Sequence, residues 1–211
     1  MNSVVLLGDS VFDNAAYVRG GPDVTTQLNA LLPAGWTAHL RAVDGSVTRD
    51  VKRQARGLPA GTSHLVVSVG GNDALGHVGI LQERLDSFAE ALRRLADIGD
   101  EFQRDYARML DEILRLSLPT AVCTVYYPQF PDAYLRRLAV TALTVFNDCI
   151  IREATLRGLP LLDLRLICDG EEDYANPIEP SVRGGEKIAA AILRLITEHD
   201  FNRRRTEVFP K

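Results

Sequence analysis

Apolar residues along this chain fall into two alternating patterns. Short, nearly continuous apolar runs occur at Ser3–Leu7 (SVVLL), His64–Val69 (HLVVSV), Thr120–Val125 (TAVCTV) and Leu159–Leu164 (LPLLDL), and a fifth, more alternating run covers Trp36–Val43. Runs of this length, bounded by Gly or Pro, predict strands buried on both faces. Between them lie longer stretches with apolar positions at three- and four-residue steps. These predict helices over Asp23–Leu32, Val47–Arg56, Ile80–Ala96, Asp100–Ser117, Asp132–Arg157 and Gly185–Glu198, with Gly99 breaking the third from the fourth. Five strands separated by helices imply an α/β fold: a five-stranded parallel sheet in three α/β/α layers. No internal repeat or linker interrupts the pattern, so residues 1–211 are expected to form a single domain. The segment from Ile167 to Pro180 is long for a connection in a compact domain, which marks it for function.

Ligands of such sheets bind beyond the carboxyl ends of the strands. Three successive strands carry small and polar residues there: Gly8-Asp9-Ser10, Asp44-Gly45-Ser46 and Gly70-Gly71-Asn72-Asp73. Each alone is ordinary turn chemistry. Together they supply what serine attack on an ester needs, an exposed hydroxyl and donors aimed at the developing oxyanion. Ser10 offers the hydroxyl; the N–H groups of Ser10 and Gly45 and the Asn72 amide offer the donors. Asp9 can brace the turn. The loops FDNAAYVRGGP and YYPQFPDAY are placed to wall a pocket, with Asp13, Asn14, Tyr126 and Tyr127 as contacts, and Asp73 and His77 follow Asn72 on its loop.

VVLLGDSVFDN, AVDGSV and VSVGGNDAL resemble the first three blocks of the SGNH/GDSL hydrolase superfamily of esterases, lipases and acetylhydrolases. The resemblance covers nearly the whole chain. It implies a flavodoxin-like fold and ester hydrolysis without metal or organic cofactor, with Ser10 as nucleophile. The family's last block reads Asp-x-x-His before a proline and a glycine-led helix. Here the frame is Asn176-Pro177-Ile178-Glu179, then Pro180-Ser181 and Gly184-Gly185, so both members of the base dyad differ.

Four readings stay open. Glu179 can act as the base if burial raises its pKa. His77 can supply a base from the third loop. The chain can bind an ester-, acyl- or sugar-like ligand without turnover. Or Ser10 can serve other chemistry, with Glu179 or Asp173 holding a cationic group. Arg183 is positioned in sequence to pair with Glu179, which would oppose its use as a base.

Composition narrows the partners. Apolar residues make up 46% and charged residues 25% of the 211, and 24 Lys and Arg against 28 Asp and Glu give a net charge of −4. No nucleic acid is expected at that balance. Cys123, Cys149 and Cys168 are odd in number and form no metal-ligand pattern, which fits a reducing cytoplasm. The initial apolar run is far too short for a bilayer span and follows no basic leader, so an intracellular protein with no membrane partner is expected, export by an unusual route staying open. The expected partner is a small-molecule ester.

Overall fold

The computed structural model describes residues 2–210. Strands β1 (Asn2–Gly8), β2 (Trp36–Leu40), β3 (Thr62–Ser68), β4 (Thr120–Cys123) and β5 (Leu161–Leu162) lie in the order β2-β1-β3-β4-β5, all parallel. A short edge strand near the C-terminus, Val208–Phe209, pairs in parallel with β5 and makes the sheet six-stranded rather than five. At two residues it carries no readable period of its own. A separate two-stranded antiparallel ribbon, β6 (Tyr174–Asn176) and β7 (Glu179–Pro180), occupies the long Ile167–Pro180 segment; the edge strand is therefore β8.

Alternation along the strands divides the core. Val4, Leu6, Val66, Cys123 and Leu162 face helices α1 (Val24–Leu31) and α7 (Val182–Glu198). Val5, Leu7, Leu65, Val67, Val122 and Leu161 face helices α4 (Phe88–Leu114) and α5 (Ala133–Arg157). Successive side chains of a strand point to opposite faces, so a strand covered twice must be apolar throughout. Two short helices, α2 (Val51–Gln54) and α3 (Gly71–Leu75), follow β2 and β3, and α6 (Leu164–Ile167) follows β5.

Two predicted helices differ from their expected form. Ile80–Ala96 and Asp100–Ser117 are replaced by one helix, α4, that begins at Phe88 with Ser87 as its cap, and Val78–Gln82 is a 3₁₀ turn. Gly99 is no break. It lies inside α4 where α5 crosses, and a Cβ there would stand 2.5 Å from Val145 Cγ1. Its small size permits the close approach of two helices, and its helical cost is outweighed by the packing.

The strand order reverses at β1, whose neighbours are β2 on one side and β3 on the other. The loops after β1 and β3 meet at that switch point, where α/β sheets place their ligand sites.

Candidate active site

Ser10 stands in the turn immediately after β1. Gly8 makes that turn possible: its φ is +129°, and a Cβ would lie 1.7 Å from the Ser68 carbonyl oxygen on β3. The Asp9 N–H donates to that same oxygen at 3.1 Å, so β1 stays paired to β3 up to the residue before the nucleophile. Gln54 of α2 grips the other side. Its Nε2 donates to Gly8 O and its Oε1 accepts from Gly8 N, both at 2.7 Å, and Nε2 also reaches Ser46 Oγ at 3.1 Å. A buried backbone group without a partner is costly; Gln54 satisfies the Gly8 N–H and shares the Gly8 carbonyl with Val43 N, which donates to it at 3.1 Å.

The hydroxyl of Ser10 donates to Glu179 Oε1 at 3.0 Å across 169 positions of sequence. Glu179 is brought there by the β6–β7 ribbon. Asn176 Oδ1 accepts from the N–H groups of Ile178 and Glu179, at 2.9 and 3.0 Å, forming an Asx-type turn. Tyr126 Oη donates to Ile178 O at 2.6 Å and Gln129 N to Pro177 O at 2.7 Å, tying the turn to the loop after β4. Behind it, Gly184 packs so closely that a Cβ would sit 2.1 Å from Asp173 O. Asn176, standing where the family has its aspartate, thus orients the backbone of Glu179.

Arg183 does not approach Glu179 in a salt bridge. Its Nη2 is 3.2 Å from Glu172 and its Nε 3.8 Å from Asp173. Asp173, fully buried, is held by Lys187 Nζ at 2.6 Å and the Gly170 N–H at 2.8 Å. It belongs to the base of the ribbon. Glu179 therefore keeps an apolar setting: it is 5% exposed, and burial, opposed by the Ser10 hydrogen bond and aided by the Asp44 charge, pushes its carboxyl up to about 7. Its Oε2 is buried without a partner among the described residues.

The oxyanion donors converge less tightly. Asn72 Nδ2 donates to Ser46 O at 3.0 Å, which fixes the amide and the Gly45–Ser46 loop to each other while leaving Asn72 a second N–H. The N–H groups of Ser10 and Gly45 have no acceptor among the described residues. Gly45 adopts φ +78° with open space around it, a conformation that favours glycine.

The remaining candidates separate. Asp9 and His77 line the same cleft as Ser10, Asn72 and Glu179. Asp9 Oδ1 accepts from Val11 N at 3.2 Å, and burial raises its carboxyl to about 8. Asp73 instead braces a loop, accepting from Thr48 N at 3.0 Å, and burial raises its pKa as well. Asp13 Oδ2 accepts from Asp44 N at 2.9 Å at the site's edge. Asn14 is fully buried, its Oδ1 accepting from Val24 N and its Nδ2 donating to Pro180 O, so it locks α1 to the ribbon and is unavailable to a ligand. Tyr126 borders the cleft and Tyr127 does not. Among the described residues, no cluster of His, Cys, Asp and Glu could hold a metal ion, and no helix is long and apolar enough to cross a membrane.

Gln54 and the Asn176 turn were missed by sequence reasoning. Asn-Pro at 176–177 is a turn signal that could have revealed the second; Gln54, one polar residue of a short helix, carries no comparable signal.

Known proteins share this fold. A lipase from a goat rumen metagenome is 18% identical with a TM-score of 0.70, the match covering 90% of this chain and 95% of that one. An extracellular lipase from Streptomyces rimosus is 20% identical, TM-score 0.63, over 95% of this chain and all of the other. Phospholipase A1 from Streptomyces albidoflavus NA297 is 21% identical, TM-score 0.61, over 94% and 99%. At these identities the likeness shows the fold. No curated protein matches the sequence. The model of the GDSL-like lipase/acylhydrolase family, however, matches residues 6–186, and the chain belongs to that family.

Proposed function

We propose that this protein is a serine hydrolase of small-molecule esters in which Glu179 does the work of the absent histidine. The observation that carries the reading is the 3.0 Å contact between Ser10 Oγ and a carboxylate raised to about 7. A base working at neutral pH is most effective when its own pKa lies near 7. Glu179 takes the Ser10 proton as Oγ attacks the ester carbonyl. The oxyanion is received by the Ser10 and Gly45 N–H groups and by Asn72. As the intermediate collapses, Glu179 returns the proton to the departing alcohol, leaving an acyl-serine. Water, deprotonated by Glu179, then releases the acid and restores Ser10.

Family membership supports ester hydrolysis, and the buried free thiols Cys123, Cys149 and Cys168 support a reducing, cytoplasmic setting. A second reading, a binder without turnover, draws on one observation: Glu179 Oε2 has no partner to orient it as a third triad member would. Turnover of p-nitrophenyl esters, with labelling of Ser10 by a fluorophosphonate, separates the two. Ser10→Ala and Glu179→Gln should each lower kcat by about 10²–10⁴-fold. Unchanged turnover in Glu179→Gln alongside a dead Ser10→Ala would remove Glu179 from the mechanism.

A further inference from the structure

Asn176 and Glu179 are register partners across the β6–β7 ribbon, joined by the two-residue turn Pro177-Ile178. Paired positions of an antiparallel ribbon hold their Cβ atoms about 5 Å apart. Proline has no N–H, so the turn presents the donors of Ile178 and Glu179, and Asn176 Oδ1 accepts both at 2.9 and 3.0 Å. A side-chain oxygen that reaches ahead in this way belongs most readily to Asn or Asp. The two side chains are nearly the same size and differ by one charge.

That charge is what Glu179 would feel. An aspartate accepting two backbone N–H bonds stays ionised well below neutrality, so its charge would persist wherever Glu179 titrates. Little would screen it. Beside Glu179 the cleft runs between α4, at Leu95 and Ile98, and α5, at Ala139 and Ala142, all apolar. Burial and the Asp44 charge already push the Glu179 carboxyl up to about 7. From the β1 turn, Ser10 donates to it, and Asp9 lies close enough for the two carboxyls to interact. Tyr17 is bonded to Asp44, Tyr126 is held on Ile178 O, and His77 lines the same cleft. The cations nearest along the chain, Arg183 and Lys187, are engaged by Glu172, Asp173 and Asp169.

Resting on the hydrolase reading, we propose that Asn176 is a positioning residue that acts through its neutrality. It seats Glu179 against Ser10 by two backbone bonds and adds no charge that would keep the base protonated.

Asn176→Asp keeps both hydrogen bonds and adds the charge. The inflection of kcat/KM against pH should move up by about one pH unit. Activity should then fall about tenfold at pH 6, with most of the loss recovered by pH 9. Asn176→Ser, a weaker uncharged acceptor, should lower kcat at every pH and leave the inflection in place. An inflection unmoved in Asn176→Asp overturns the proposal. So does an equal upward move in Asn176→Ser, which would assign the effect to turn geometry.

The carboxyl is also followed without turnover, by carboxyl-carbon NMR titration of Ser10→Ala protein carrying isotope-labelled glutamate. Loss of one signal in Glu179→Gln identifies Glu179. Asn176→Asp should raise its midpoint by about one pH unit in that background too. A midpoint that rises in a protein without esterase activity would sink the hydrolase reading and leave the electrostatic role of Asn176 standing. A midpoint that stays put in an active enzyme would sink the role of Asn176 alone.

Discussion

Ser10 Oγ and Glu179 Oε1 are 3.0 Å apart in a setting that holds the carboxyl near neutrality. Only the ionised form can accept the serine proton. Since the pKa is raised to about 7, kcat/KM should climb tenfold per pH unit below that value and level above it. The Asp44 charge contributes to the upward shift, so Asp44→Asn should move the inflection to lower pH. A pH–rate series from 5 to 9 on both proteins reads this directly. An inflection that stays put in Asp44→Asn would show that burial alone sets the value.

Gln54 makes a second prediction, about the nucleophile's seat. Gln54→Ala strips the partner from the buried N–H of Gly8 and one of two donors from its C=O, which still accepts from Val43 N, and should cost about 1–3 kcal/mol of stability. The seat of Ser10 would loosen too, lowering kcat more than it raises KM. Denaturant unfolding and steady-state kinetics on one sample check both. A variant as stable as wild type would mean that water replaces the amide.

What could be read from the residues, and what could not, follows from where each signal lives. The strands were legible because burial on both faces demands runs such as VVLL, and the glycines of the β1 and β3 turns because tight turns need them. The Ser10–Glu179 contact was open in sequence, since Arg183 sits much nearer to Glu179 along the chain than Ser10 does; in the fold its guanidinium pairs with Glu172 and Asp173 instead. The cleft between α4 and α5 was invisible, because Ala139 and Ala142 look like any helical residues until the facing helix is placed. Gly99 misled for the same reason, its local preference pointing to a break while its tertiary contact required a crossing.

That crossing is testable. Gly99→Ala gains about 1 kcal/mol of helix propensity but forces a methyl to 2.5 Å from Val145 Cγ1. Overpacking typically costs about 1–3 kcal/mol, and a β-branched side chain in a helix has few other rotamers. The net effect should be destabilising. Adding Val145→Ala should recover most of the loss, a non-additive coupling measurable by a double-mutant cycle. Additive effects would show that the helices move apart instead.

Asp9 offers the last prediction, because it stores a proton that the unfolded chain does not. Buried at 3% exposure, its carboxyl is raised from 3.8 to about 8, desolvation outweighing the hydrogen bond from Val11 N–H. An acid with a raised folded pKa makes the folded state the better proton binder, so stability falls as pH rises from about 4 to about 8 and is level beyond. Glu179 adds in the same direction between 4.5 and about 7. Asp9→Asn keeps an oxygen for the Val11 N–H and removes the Asp9 share, on the order of a few kcal/mol. Thermal unfolding at pH 5 and pH 8.5 should show wild type losing stability across that interval and Asp9→Asn losing distinctly less. Parallel losses in the two proteins would mean that Asp9 is already ionised in the folded state, with a cation or water reaching it beneath the nucleophile.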